Sequence, residues 1–146
     1  MNEKAEDILC YIPQRGMVVV VDKLLELASD GKISSSYIVK QDSVFVQDGQ
    51  FTEAGLIELM AQTAAMGSGY QQLQNNQPIK KGFIAGIKKL SVHFLPQVGS
   101  NLTATMAELH YVLGFSVVQL QIFCGSSLVS SCEMKIALES DSTKLT

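Results

Sequence analysis

Arginine is almost absent from this 146-residue sequence, with Arg15 its only example, and histidine occurs twice, at His93 and His110. Eleven basic residues face fourteen acidic ones, for a net charge of −3. Little is left to neutralise a run of phosphates, so no nucleic-acid partner is expected. The cysteines are three, an odd number, and Cys10, Cys124 and Cys132 have no C-x-x-C spacing. Neither a disulfide framework nor a metal site is suggested, no cofactor is expected, and the cysteines read as small apolar residues. No apolar run reaches the roughly eighteen residues of a membrane span, because Asp22 cuts one candidate and Glu58 and Gln62 the other, so no membrane partner is expected. Residues Met1 to Asp7 show neither the basic nor the apolar region of a secretory signal, which points to a cytoplasmic location.

What is present is apolar: hydrophobic residues make up 47% and charged ones 17%, with a mean hydropathy of +0.20. Such a chain folds, and 15.9 kDa suits one domain. The expected unit is residues 1–139, followed by a polar tail over 140–146. Ile8, Leu9 and Ile12 recur at helical spacing before Pro13 and Gly16, which predicts a short opening helix. Met17 to Leu27 contains the run Val18-Val19-Val20-Val21 and reads as a strand apolar on both faces. In Lys32 to Lys40, the residues Ile33, Ser35, Tyr37 and Val39 alternate with Ser34, Ser36 and Ile38, a second strand paired with the first across Ser29-Asp30-Gly31.

From Thr52 to about Leu73 the chain is apolar on nearly every side and too long for a strand, which predicts a buried helix capped by Thr52. After Gly82 about four strands follow. Among them Val118, Leu120, Ile122 and Cys124 form one inward row, and Cys132, Met134, Ile136 and Leu138 another. The expected fold is α+β, an antiparallel sheet wrapped around one long buried helix. Strands apolar on both faces call for a second subunit to cover them.

Glu58 and Gln62 stand four apart on one face of that apolar helix. The carboxylate either reaches solvent near the positive helix end or serves as a catalytic acid in apolar surroundings.

Three segments carry a family resemblance. Ile12 to Asp22, IPQRGMVVVVD, resembles the "LPHR-x-P-x-LLVD" opening of hotdog-fold 3-hydroxyacyl-acyl-carrier-protein dehydratases of the FabZ and FabA type. Gly55 to Gln62, GLIELMAQ, resembles their "GVLIIEAMAQ" helix, and Gly86 to Gly99 is similar to their "GIDKARF…PGD" strand. Met60 to Gly69, MAQTAAMGSG, is similar to the dehydratase-like proteins of aryl-polyene clusters. The resemblance implies a hotdog fold and the loss of water from 3-hydroxyacyl thioesters on acyl carrier protein or coenzyme A, in fatty-acid or polyene synthesis. That reaction needs a base for the C2 proton and an acid for the departing hydroxyl, with N–H groups at a helix N-terminus polarising the carbonyl.

Residue by residue, Glu58 takes the place of the family carboxylate, and Gln50 that of the histidine in the family's "GHFP" segment. An amide can orient or donate but cannot take a proton from carbon. Gln50 and Gln62 are therefore expected to assist Glu58, and Phe51, Gly55 and Leu59 to contact substrate. Gln14 replaces the opening motif's histidine, and His93 and His110 read as structural. In the family the two catalytic residues of one site come from different subunits, which implies a homodimer or a heterodimer with a related subunit. Lys80, Lys81, Lys88 and Lys89 form a basic cluster that either steers an acidic carrier protein or is an ordinary solvated edge. Three functions remain open: an active dehydratase, a non-catalytic subunit that binds acyl chains or pairs with an active homologue, and an acyl thioesterase using the same carboxylate.

Overall fold

A computed structural model describes residues 11–12, 16–27, 32–74, 76 and 82–138. A 3-10 turn, Gly16–Val18, leads to strands β1 (Lys23–Leu27) and β2 (Ile33–Ile38). Two-residue strands β3 (Val46–Gln47) and β4 (Gln50–Phe51) precede the helix α1 (Glu53–Gln74). Four long strands follow: β5 (Gly82–Val92), β6 (Asn101–Val112), β7 (Phe115–Cys124) and β8 (Ser127–Leu138). Six of the strands form one antiparallel sheet in the order β1-β2-β6-β7-β8-β5, and β3 and β4 pair as a separate hairpin.

The helix lies against one face of the large sheet, as the alternation requires. Leu56, Leu59, Met60 and Met66 from α1 join Ile33, Tyr37, Leu120, Ile122, Cys132 and Met134 in one core. Each large side chain so buried contributes about 1.5–3 kcal/mol. The other side of α1 is covered by the chain's first described segment. Tyr11, Ile12, Val20 and Val21 are buried, and the Tyr11 ring lies 5.5 Å from that of Tyr70. Two glycines show the sandwich directly, since a side chain at Gly67 would strike Ile33 on the sheet, whereas one at Gly69 would strike the Tyr11 backbone. Residues two apart point to opposite sides of a helix. An element covered on both sides has to be apolar all round, which is why α1 lacks a polar stripe.

The run Val18–Val21 is therefore not a strand. It is a strap laid across the helix, ending before β1, and its β-branched composition reflects burial of Val20 and Val21 rather than ladder pairing. The opening helix expected over Glu3 to Ile12 lies outside the described residues except for Tyr11 and Ile12, where the chain is not helical. Gln14, Arg15, Cys10, Lys80, Lys81, the turn Ser29-Asp30-Gly31 and the tail 140–146 also lie outside them.

The sheet face turned away from α1 carries Ser34, Ser36, Thr103, Thr105, Gln119 and Gln121, with Ser34, Thr105 and Gln121 in one row across three strands. An antiparallel sheet can leave a polar patch of this kind to solvent. Part of the exposed apolar surface lies at the sheet edge. β5 pairs only with β8 among the described strands, and its Phe83, Ile84, Ile87 and Leu90 are about half exposed.

Candidate active site

The N-terminus of α1 is tied down by Thr52. Its Oγ1 accepts the Gly55 N–H at 3.3 Å and donates to the Phe45 carbonyl at 2.8 Å, and its N–H donates to that same carbonyl at 2.9 Å. The cap expected from sequence is present, and it also anchors the helix to the loop before β3. Phe51 lies beneath the first helical turn, fully buried, with its ring 5.5 Å from Tyr37 and 6.4 Å from Phe45. Gly55 makes this approach possible, since a Cβ there would come within 2.7 Å of the Phe51 ring. Leu59, one turn further on, is fully buried in the same core. The structure thus places Phe51 and Leu59 as packing residues within the chain.

Gln50 is exposed at the end of a tight hairpin. Asp48 and Gly49 both have positive φ, 54° and 76°, and connect Gln47 to Gln50, which are paired. Asp-Gly is the residue pair such a two-residue turn favours, and it is the signal from which the hairpin could have been read. Further bonds fix its position: Gln50 bridges to Gln97, the Phe51 N–H donates to the Pro96 carbonyl at 2.7 Å, and the Val98 N–H to that of Gly49 at 3.0 Å.

Glu58 is half-buried on α1, and Gln62 is fully buried one turn beyond it. The Gln62 Nε2 donates to Glu58 Oε2 at 3.2 Å and to the Val18 carbonyl at 2.6 Å, while Oε1 accepts the Val20 N–H at 2.8 Å. Gln62 therefore touches Glu58 and the strap at once. Thr63 faces the sheet instead, donating to the Leu59 carbonyl and meeting Ser35 Oγ at 2.7 Å.

Neither histidine belongs to this site. His110 stands on β6 opposite Val117, in the row that faces away from α1, and is exposed. His93 lies just past β5, not on a strand, and is exposed, with its N–H bonded to the Val129 carbonyl at 2.8 Å. Of the basic cluster, Lys88 and Lys89 are exposed on the edge strand, and Lys89 pairs with Glu133 at 3.2 Å. A depression of about 340 Å³ lies beside Lys32, Ser34, Thr105, Gln119 and Gln121, on the polar face rather than near Glu58. Among the described residues no cluster of three or more metal-ligating side chains occurs, and no helix is long and apolar enough to cross a membrane. The Cys132 thiol, which contacts Met60 Sδ at 3.7 Å, is pushed up to about 11 by burial and by the neighbouring Glu133 charge.

Residues 6–146 match the family described as ApeP-like: ApeP dehydratase. The chain belongs to the ApeP-like dehydratase family. Among curated proteins none matches it significantly. Among solved structures, the dehydratase heterocomplex ApeI:P from Xenorhabdus doucetiae superposes with a TM-score of 0.86 at 18% identity, covering 97% of each chain. The E. coli PaaI protein follows the same fold with a TM-score of 0.63 at 15% identity, covering 78% of this chain and 80% of that one. So does a hypothetical thioesterase with coenzyme A from Streptococcus pneumoniae TIGR4, with a TM-score of 0.64 at 13% identity, covering 80% and 84%. An antiparallel sheet packed on a single helix is the hotdog fold these proteins share, and this ApeP-like chain has it.

Proposed function

We propose that this ApeP-like chain is one half of a hotdog dehydratase pair acting on 3-hydroxyacyl thioesters, carried by acyl carrier protein or coenzyme A, in fatty-acid or polyene synthesis. The observation that carries the reading is Glu58, a carboxylate half-buried in an otherwise apolar helix and held by Gln62. Nothing in the packing requires a charge there. In the reaction a base removes the C2 proton, electrons shift to form the C2–C3 double bond, and the C3 hydroxyl leaves as water with a proton from an acid. Glu58 is the acid. The N–H groups in the first turn of α1 would polarise the thioester carbonyl. Phe51 and Leu59 shape the site from the core below, Gly55 lets the Phe51 ring pack against the first turn of α1, and Gln50 can only hydrogen-bond.

The missing base comes from a partner. The related ApeI:P assembly is a dehydratase heterocomplex, and pairing with a histidine-bearing hotdog homologue would complete one site with Glu58 from this chain. The edge of β5, which pairs only with β8 among the described strands and carries exposed apolar side chains, suits a sheet continued into a second subunit. Hydrolysis of acyl thioesters is the second reading, since Glu58 could activate water and hotdog thioesterases share the fold.

One experiment separates these readings. The purified chain is incubated with a 3-hydroxyacyl thioester, alone and with a histidine-bearing homologue, and both enoyl thioester and free thiol are followed. Enoyl product from the mixture, little from this chain alone, and a gain on Gln50→His support the proposal. Free thiol without enoyl product would favour hydrolysis.

A further inference from the structure

We propose that Gln62 is a positioning residue that couples the seating of the Val18–Val20 strap to the orientation of the Glu58 carboxylate; this rests on the reading of Glu58 as the acid only for its effect on rate. A primary amide offers one oxygen and two N–H groups. Here the oxygen takes the Val20 N–H, one N–H goes to the Val18 carbonyl, and the other goes to Glu58 Oε2. A flipped amide would set N–H against N–H at Val20 and oxygen against oxygen at Val18, both from the fully buried Gln62 side chain. The strap therefore dictates which atom of Gln62 faces Glu58, and that atom is a donor.

The dependence also runs the other way. The strap has no strand ladder between the Val19 N–H, bonded to the Gly16 carbonyl at 3.1 Å, and the Asp22 N–H, bonded to the Ser36 carbonyl at 2.7 Å. Gln62 bonds the Val20 backbone within that gap and the Val18 backbone just before it. With Oε2 held, Glu58 Oε1 has no hydrogen bond among the described residues and stays available to substrate. If the strap lifts, the amide is free to rotate and the carboxylate loses its fixed rotamer.

Coupling of this kind is reciprocal, so it can be read without any turnover. Amide hydrogen exchange at Val20 is measured by NMR in the purified protein and in Glu58→Leu and Gln62→Met. Both substitutions should speed exchange at Val20 by about fivefold or more, with exchange in β7 unchanged. Acceleration by Gln62→Met alone would show that Gln62 anchors the strap without sensing Glu58, and would overturn the proposal. In the assembly that dehydrates, Val20→Pro removes the N–H accepted by Gln62 without touching Glu58. It should lower kcat about tenfold or more with little change in KM. An unchanged kcat would contradict the coupling. Should Val20→Pro fail to fold, Gln62→Met, which lacks both the acceptor for Val20 and the donors to Val18 and Glu58, is expected to lower kcat alike. If no assembly dehydrates, the reading of Glu58 as an acid fails, while the exchange result still decides the coupling.

Discussion

The Tyr11 carbonyl lies directly against the Cα of Gly69, so that a Cβ there would overlap its oxygen and come within 2.7 Å of its carbon. The neighbour is backbone and cannot swing aside. Gly69→Ala gains about 1 kcal/mol of helix propensity but loses more by forcing the strap off the helix, for a net loss of about 2 kcal/mol. At Gly86, where a Cβ meets nothing within 4 Å and φ is not positive, alanine should be nearly neutral. Denaturant titration of the two variants checks the difference.

Met134 and Glu133 are neighbours on β8 with opposite fates. Met134 is fully buried opposite Val118, whereas Glu133 faces the polar side and pairs with exposed Lys89. Met134→Asp should cost about 4 kcal/mol or more and unfold the domain, and Glu133→Ala should change stability by less than about 1 kcal/mol. Equal effects on the denaturation midpoint would show the register to be misassigned.

The turn between β6 and β7 is built on Leu113 and Gly114, both at positive φ, 52° and 82°. Leucine is strained there, and at 90% exposure it gains nothing from packing within the chain. Leu113→Asn should raise stability by about 1 kcal/mol, read as a higher Tm.

Burial holds the Cys132 thiol protonated up to about 11, against 9.0 for a free thiol. The folded state therefore keeps a proton that the unfolded chain releases first. Stability from this group is complete below pH 9 and is lost as the pH rises through 11. Cys132→Ala should flatten that alkaline decline in a series of denaturation curves, whatever its effect at neutral pH. At about pH 8, Cys132 should resist alkylation in the native protein.

The fold was legible where one pattern had one physical cause. Thr52 ahead of a long apolar run marked the start of α1, and the alternations in β7 and β8 matched their buried rows. Val18 to Val21 misled because a β-branched run is apolar whether it pairs in a sheet or straps a helix. Its backbone partner is the side chain of Gln62, forty-two residues away from Val20, which no local pattern records. The pairing of Glu58 with Gln62 was legible from their spacing, but the role of Gln62 was not, because its three bonds depend on where the strap lies. The hairpin that carries Gln50 was announced by Asp48-Gly49, a signal that its very short strands made easy to pass over.

The most direct test of the shared site is the rate of enoyl thioester formation by this chain mixed with a histidine-bearing hotdog homologue, with and without Glu58→Gln. Loss of a general acid or base typically removes about 100-fold to 10,000-fold of rate. The mixture should dehydrate, the chain alone should fall short by a factor in that range, and Glu58→Gln should abolish the activity gained on mixing. Robust dehydration by the chain alone, unaffected by Glu58→Gln, would contradict both the shared site and the choice of Glu58.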